Sequence, residues 1–146
     1  MMKSRKATAI GCGVAVLLVA LAIGILGYGM FGNHPYYAKD VRQHGLAPAS
    51  ATSIEVFEAR NISGAVSLTY LVSEAEFQKF AEEKGWPLSP GSGSIQVHPP
   101  SDYFGAVMLK DVEAYLTYEK RQRNGGGIKV IYIPSESRAY IDKSNR

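Results

Sequence analysis

Apolar residues follow two patterns along this chain, one continuous and one periodic. Ala7 to Phe31 is apolar along almost all of its length and contains no charged side chain. About 20 such residues cross a bilayer as a helix, which satisfies its own backbone hydrogen bonds in hydrocarbon. The continuous pattern therefore predicts a transmembrane helix over residues 7–31, preceded by a basic tail over residues 1–6.

The charges that flank this run predict its orientation. Lys3, Arg5 and Lys6 precede it, and by the positive-inside rule the N-terminus stays in the cytoplasm and the C-terminal domain is exported. This predicts a single-pass signal anchor, with the domain facing the periplasm or the exterior from a bacterial inner membrane. A signal peptide cleaved near Gly27 is the alternative, although signal sequences have shorter apolar regions of about 7 to 15 residues.

Small residues lie on one face of the predicted helix. They are Gly13, Ala20, Gly24 and Gly27. Ala20 and Gly24 form a small-xxx-small pair, which lets two membrane helices approach closely and predicts a homodimer through this face. Glycine is also frequent in membrane helices without any such contact, and that reading stays open.

Periodic patterns begin after a linker predicted over residues 32–50. Ser53 to Arg60 and Ala65 to Val72 alternate apolar and polar residues around an Asn61-Ile62-Ser63-Gly64 turn, which indicates a hairpin. A helix follows, with Ser73 and Glu76 as a capping box and Gly85 at its end. Its apolar stripe contains Phe77, Phe80, Ala81 and the following Trp86, and we assign this stripe to the core.

The end of the chain reads as a three-stranded meander. Its strands are predicted over Ala114 to Arg123, Ile128 to Ile133 and Arg138 to Asp142, while Ser89 to Ser94 reads as a loop. The sum is an α+β domain over residues 51–146 with the order β-β-α-β-β-β. We expect a mainly antiparallel sheet with one helix packed on one face.

Charge and cysteine content narrow the function classes. The chain has a net charge of +3, which the three basic residues before Ala7 account for, so the rest is neutral. A neutral domain lacks the basic face that nucleic acid requires, so we expect no nucleic-acid partner. Cys12 is the only cysteine, and the domain can therefore form no disulfide.

Catalytic and metal-binding patterns are weak. The three histidines His34, His44 and His98 have no spacing typical of metal ligands, and no phosphate-binding or nucleophile-elbow motif occurs. We therefore expect no metal, no cofactor and no enzyme activity. A hydrolase that uses His98 near Asp102 is the distant alternative.

One basic cluster is a candidate contact site. Lys120, Arg121 and Arg123 precede the glycine-rich turn at residues 124–127, and Lys129 follows it. Such a basic tip would bind anionic lipid headgroups or an acidic partner. The alternative is a solvated strand end with no ligand.

Three loose motifs suggest a family. They are the entry run Leu46 to Ile54, the helix Glu76 to Ala81 with the following Gly85-Trp86, and the closing hairpin from Asn124 to Tyr132. Together they resemble small membrane-tethered bacterial envelope proteins of unassigned function. The resemblance spans Leu46 to Arg146 and implies location and fold, with no catalytic residue to carry over.

These patterns predict a membrane-anchored, non-catalytic interaction module. It would contact the lipid bilayer through its helix and another envelope or membrane protein through its edge strand or through the sheet face that the helix leaves uncovered. The alternative is a structural subunit that assembles through the membrane helix.

Overall fold

The computed structural model describes residues 14, 16–27, 35–59, 64–102 and 105–145. The chain divides into two compact units, Met1–His34 and Pro35–Arg146. The first unit contains helix α1 over residues 16–27, whose large apolar side chains are exposed. The second unit contains a β-sheet and a second helix.

The predicted transmembrane helix over residues 7–31 is wrong. The described residues of helix α1 are 16–27, and they span about 18 Å at 1.5 Å per residue, whereas the hydrocarbon core of a bilayer is about 30 Å thick. No helix among the described residues combines the length and the apolar character needed to cross a membrane. The single-pass location, the signal anchor and the exported domain were all inferred from that helix and are overturned with it.

The second unit is built on one seven-stranded antiparallel sheet. Its strands are β1 (Tyr36–Val41), β2 (Thr52–Ala59), β3 (Ala65–Leu71), β4 (Ser89–Val97), β5 (Val107–Arg121), β6 (Gly127–Ile133) and β7 (Arg138–Ser144). Helix α2 (Glu74–Glu83) lies between β3 and β4 in the chain. Across the sheet the strand order is β1-β2-β3-β7-β6-β5-β4, with β1 and β4 at the two edges.

The predicted order β-β-α-β-β-β is therefore wrong, because it lacks both edge strands. β1 lies in the stretch predicted as a linker, and β4 begins in the predicted loop at Ser89 to Ser94. β1 and the glycine-rich start of β4 lack the alternation of apolar and polar residues that marks a half-buried strand. Each is held by backbone hydrogen bonds to a single neighbour, which sequence periodicity does not report.

The predicted helix and the pairing of the predicted strands agree with the structure. β2 pairs with β3, and β5, β6 and β7 form the meander. The Ser73 hydroxyl donates to the Glu76 carboxylate at 2.9 Å and accepts from the Glu76 N–H, which is the predicted capping box. Gly85, with φ at +68°, ends the helix, and the Trp86 N–H donates to the Ala81 carbonyl.

The main core lies between α2 and one face of the sheet. Phe77 is fully buried and stacks on Tyr132 of β6, with 4.5 Å between ring centroids. The Tyr132 hydroxyl donates to the Val72 carbonyl at 2.9 Å, so Tyr132 is fixed both by stacking and by a hydrogen bond. Leu116, Tyr118, Val130 and Tyr132 of the meander all belong to this core.

The second face of the sheet is covered as well. β4 and residues 107–114 of β5 form a two-stranded ribbon that folds back over this face, and Ile95 and Val97 pack there against Ile131 and Ile133 of β6. The register of the ribbon shifts between Gly91 and Ile95, where extra residues bend a strand pair. The prediction that one sheet face stays open is therefore wrong.

Polar contacts attach the ribbon to the sheet beneath it. The Ser67 hydroxyl donates to the His98 carbonyl at 2.6 Å, and the Lys129 ammonium donates to the Gln96 carbonyl at 3.1 Å. His98 Nδ1 lies 3.6 Å from Asp142 Oδ2. Burial raises the pKa of the Asp142 carboxyl, and the positive charges of His98 and Lys129 oppose that rise without cancelling it.

We expect Phe77→Ala to lower the free energy of unfolding by about 3 to 5 kcal/mol, because it removes the largest contact between α2 and β6 and leaves a cavity. Urea denaturation followed by circular dichroism measures the change. Lys79→Ala, at an exposed position of the same helix, is the control and should change stability by about 0.5 kcal/mol or less. A loss below about 1 kcal/mol for Phe77→Ala would contradict the described packing.

We expect Asp142→Asn to raise the free energy of unfolding at pH 8. The raised pKa means that the folded protein binds the Asp142 proton more tightly than the unfolded chain, so the ionised carboxylate destabilises the fold above that pKa. The gain should shrink as the pH falls through the raised pKa and vanish below about pH 4, where both states are protonated. Urea denaturation across this range measures it, with Glu113→Gln as an exposed control. A variant less stable than the native chain at pH 8 would show that the contacts with His98 and Lys129 outweigh burial.

Candidate functional site

The small residues predicted to form a helix contact lie on α1, except for one. Ala20 and Gly24 are exposed, and a methyl group added at Gly24 or Gly27 would meet no atom within 4 Å. Gly13 lies outside the described residues. Contact between two chains through Ala20, Gly24 and Gly27 stays a prediction.

The sheet directs the side chains of the predicted basic tip to two faces, although Lys120, Arg121 and Lys129 all line one recess beside the glycine turn. Side chains alternate along a strand, so Lys120 lies on the face of Tyr118, while Arg121 and Lys129 lie on the opposite face. Arg123 is exposed in the turn between β5 and β6. A single basic contact tip formed by the four residues stays a prediction.

On the second face the basic groups have partners. The Arg121 guanidinium pairs with Glu119 at 2.5 Å, and Lys129 bonds to the Gln96 carbonyl of the ribbon. Lys129 also interacts electrostatically with Asp142. Positive charge on this face is thus largely compensated by neighbouring groups, and it offers little to an anionic ligand.

On the helix face Lys120 joins two lysines that are distant in sequence. Lys84 follows the last turn of α2 and Lys143 lies near the end of β7. The three lysines line a cleft of about 350 Å³ with Trp86, Tyr118 and Ile128, which we call the lysine cleft. It is the candidate functional site.

Local structure explains how each lysine reaches the cleft. Lys120 is two residues after Tyr118 and Lys143 is two residues after Ile141, so both extend past the core on its own face. The turn at Gly85 places Lys84 and Trp86 on either side of the end of α2. Gly127 has no side chain where β5 and β6 approach closely, and a Cβ there would collide with the Lys120 carbonyl.

Aromatic rings form part of the cleft wall. Trp86 and Tyr118 stack with 6.4 Å between centroids and 18° between planes. Trp86 is nearly buried, whereas Tyr118 and Ile128 are half-buried. Lys84 Nζ lies 5.1 Å from the centre of the Phe80 ring of α2, a cation–π contact.

The charged side chains that line the cleft are all positive. No carboxylate is among its lining residues, and none of its three lysines makes an ion pair within the described part of the chain. By contrast, Lys39 and Arg138 elsewhere on this unit each face a glutamate. Three unpaired ammonium groups beside an aromatic wall can hold a negatively charged ligand that also has apolar surface.

Sequence reasoning identified only one of the cleft lysines. Lys84 and Lys143 were not singled out, and Trp86 was assigned to the core alone. Strand alternation relates Lys143 to Ile141 and Lys120 to Tyr118, so part of the signal was present in the pattern. The approach of the end of α2 to both strands is a tertiary contact that no local pattern contains.

The hydrolase alternative, which pairs His98 with Asp102, stays a prediction. The His98 imidazole faces Asp142, and the Ser67 hydroxyl bonds to the His98 backbone carbonyl rather than to its ring. The side chain of Asp102 lies outside the described residues. Within the described ranges, no group of three or more His, Cys, Asp or Glu residues is placed to hold a metal.

Comparison with known proteins returns no relative. No family model, no curated protein and no solved structure matches this chain. The resemblance to membrane-tethered envelope proteins over Leu46 to Arg146 accordingly stays a prediction. The geometry and charge of the lysine cleft are therefore the basis for assigning a function.

Proposed function

We propose that the unit Pro35–Arg146 is a non-catalytic interaction module whose lysine cleft binds an acidic segment of a partner protein. One observation carries the proposal: lysines from α2, β5 and β7 converge on a cleft that has no carboxylate in its lining. Positive groups that line one recess without counter-charges attract an anionic ligand. The sheet face first considered for docking is covered by the ribbon, so the cleft takes its place.

The surroundings of the lysine cleft favour an acidic peptide over a compact phosphate as its ligand. The cleft lies at the C-terminal end of α2, where the helix dipole is negative and disfavours a concentrated anion. No arginine lines the cleft to bind phosphate in the bidentate manner. Ammonium groups from three separate elements instead suit carboxylates spread along an acidic segment.

The lining also favours binding over catalysis. Proton transfer in enzymes most often uses an imidazole or a carboxylate, and neither is among the cleft residues. An aromatic wall with a charged rim is instead typical of surfaces that recognise protein segments. This supports the view that the cleft holds its ligand without changing it.

The proposal predicts that a hexaglutamate peptide binds saturably and that its affinity falls as salt increases. Trp86 is the only tryptophan of the chain and lines the cleft, so its fluorescence reports binding directly. Lys120→Gln with Lys143→Gln should weaken binding about tenfold, since each exposed charge pair contributes up to about 1 kcal/mol.

A matched variant controls for the loss of net charge. Lys79→Gln with Lys110→Gln removes the same two charges from exposed positions outside the cleft and should change affinity less than twofold. A hexaglutamine peptide tests the need for negative charge and should not bind measurably. Equal weakening by the two double variants would overturn the proposal, as would equal binding of the two peptides.

A further inference from the structure

A larger cavity opens on the other side of Trp86. It measures about 600 Å³ and is lined by Trp86, Pro87, Leu88 and Leu116, with Gln78 and Glu82 on the α2 side. Leu88 and Leu116 are half-buried, so apolar surface remains accessible within it. We call it the leucine cavity. Its volume lies in the range of pockets that accept a ligand group.

The leucine cavity and the lysine cleft are adjacent. Gly85 and Trp86 line both of them, and Leu116 in the cavity is two residues from Tyr118 in the cleft on the same face of β5. The two recesses therefore form one path across the end of α2, with Trp86 between them.

The charge and polarity of the lining residues change along this path. The cleft has three lysines and no acid, whereas Glu82 is the only charged residue among those lining the cavity. A segment that follows the path would meet apolar surface on one side of Trp86 and positive charge on the other. Aromatic and aliphatic pockets of this kind hold the anchor side chains that dominate the affinity of many protein interfaces.

We infer that the partner segment carries one large apolar residue next to its acidic run. The apolar side chain occupies the leucine cavity while the carboxylates contact Lys84, Lys120 and Lys143. This inference rests on the proposed function and adds a second determinant to it. It assigns specificity to the cavity, because an acidic run without an anchor would bind by charge alone.

The test uses acidic peptides that differ in a single residue. Hexaglutamate is extended at one end by serine and leucine, or by serine and serine. Each extension is made once at the N-terminal end and once at the C-terminal end, because a bound segment could follow the path in either direction. Binding to the full protein is measured by Trp86 fluorescence. We expect the leucine peptide of one direction to bind about tenfold more tightly than its serine counterpart and to shift the Trp86 emission to shorter wavelength.

Variants then locate the preference for leucine. Leu88→Gln keeps the volume of the cavity lining but makes it polar, and it should abolish most of that preference. Leu88→Met should retain the preference. Leu71→Ala, a half-buried leucine at the end of β3 and outside both recesses, should leave it unaltered.

The outcomes separate the two proposals. If acidic peptides bind but leucine and serine forms bind equally in both directions, the cavity has no anchoring role and this inference is overturned while the proposed function stands. If no acidic peptide binds more tightly than a glutamine peptide, the proposed function fails first. A leucine preference that survives Leu88→Gln would also overturn the inference, because the anchor would then lie elsewhere.

Discussion

The stacking of Phe77 on Tyr132 positions α2 on the sheet, and the other features of the helix face follow from that position. Tyr132 lies on β6, between β5 and β7, so a helix centred on it covers the middle of the meander. The end of α2 then reaches the edge of the core beside Tyr118. Without this contact Lys84 and Trp86 would have no fixed relation to the strands.

The opposite face of the sheet is buried by the chain itself. The ribbon folds back across it, places Ile95 and Val97 on Ile131 and Ile133, and explains why Ser67 and Thr69 are buried although they are polar. Each of these two hydroxyls donates to a backbone carbonyl, which offsets the cost of its burial. With the ribbon and α2 covering the two faces of the sheet, the recesses at the end of α2 remain accessible on the helix face.

The lysine cleft and the leucine cavity arise from the same constraint. A helix that packs on a twisted sheet diverges from the strands beneath it at its end, and the space that opens there is lined by residues just past the core. On this protein those residues are lysines on one side of Trp86 and leucines on the other. Charge and apolar surface are thereby placed side by side, which suits recognition of a segment with both characters.

Local patterns alone identified the elements whose stability is local. The capping box at Ser73 and Glu76, the stop at Gly85, the β2–β3 hairpin and the shared face of Tyr118 and Tyr132 could all be predicted, because each depends on neighbours in sequence or on strand alternation. The pattern of apolar and polar residues did not predict strands that are held by backbone pairing rather than by side-chain burial, as in β1 and the glycine-rich start of β4. The length of the uncharged run also led to a wrong prediction, since the apolar residues 7–31 predicted a longer helix than the described α1.

The sequence by itself thus determined the secondary structure of α2 and the central strands, and it determined which side chains face the core. Only the tertiary structure decided that Lys120 meets Lys84 and Lys143 in one cleft, since these lysines are distant in the chain. The physical reason is that alternation assigns a residue to a face, but contacts between elements distant in the chain decide what else that face contains. A site assembled from α2, β5 and β7 therefore exists only once the helix has packed on the sheet.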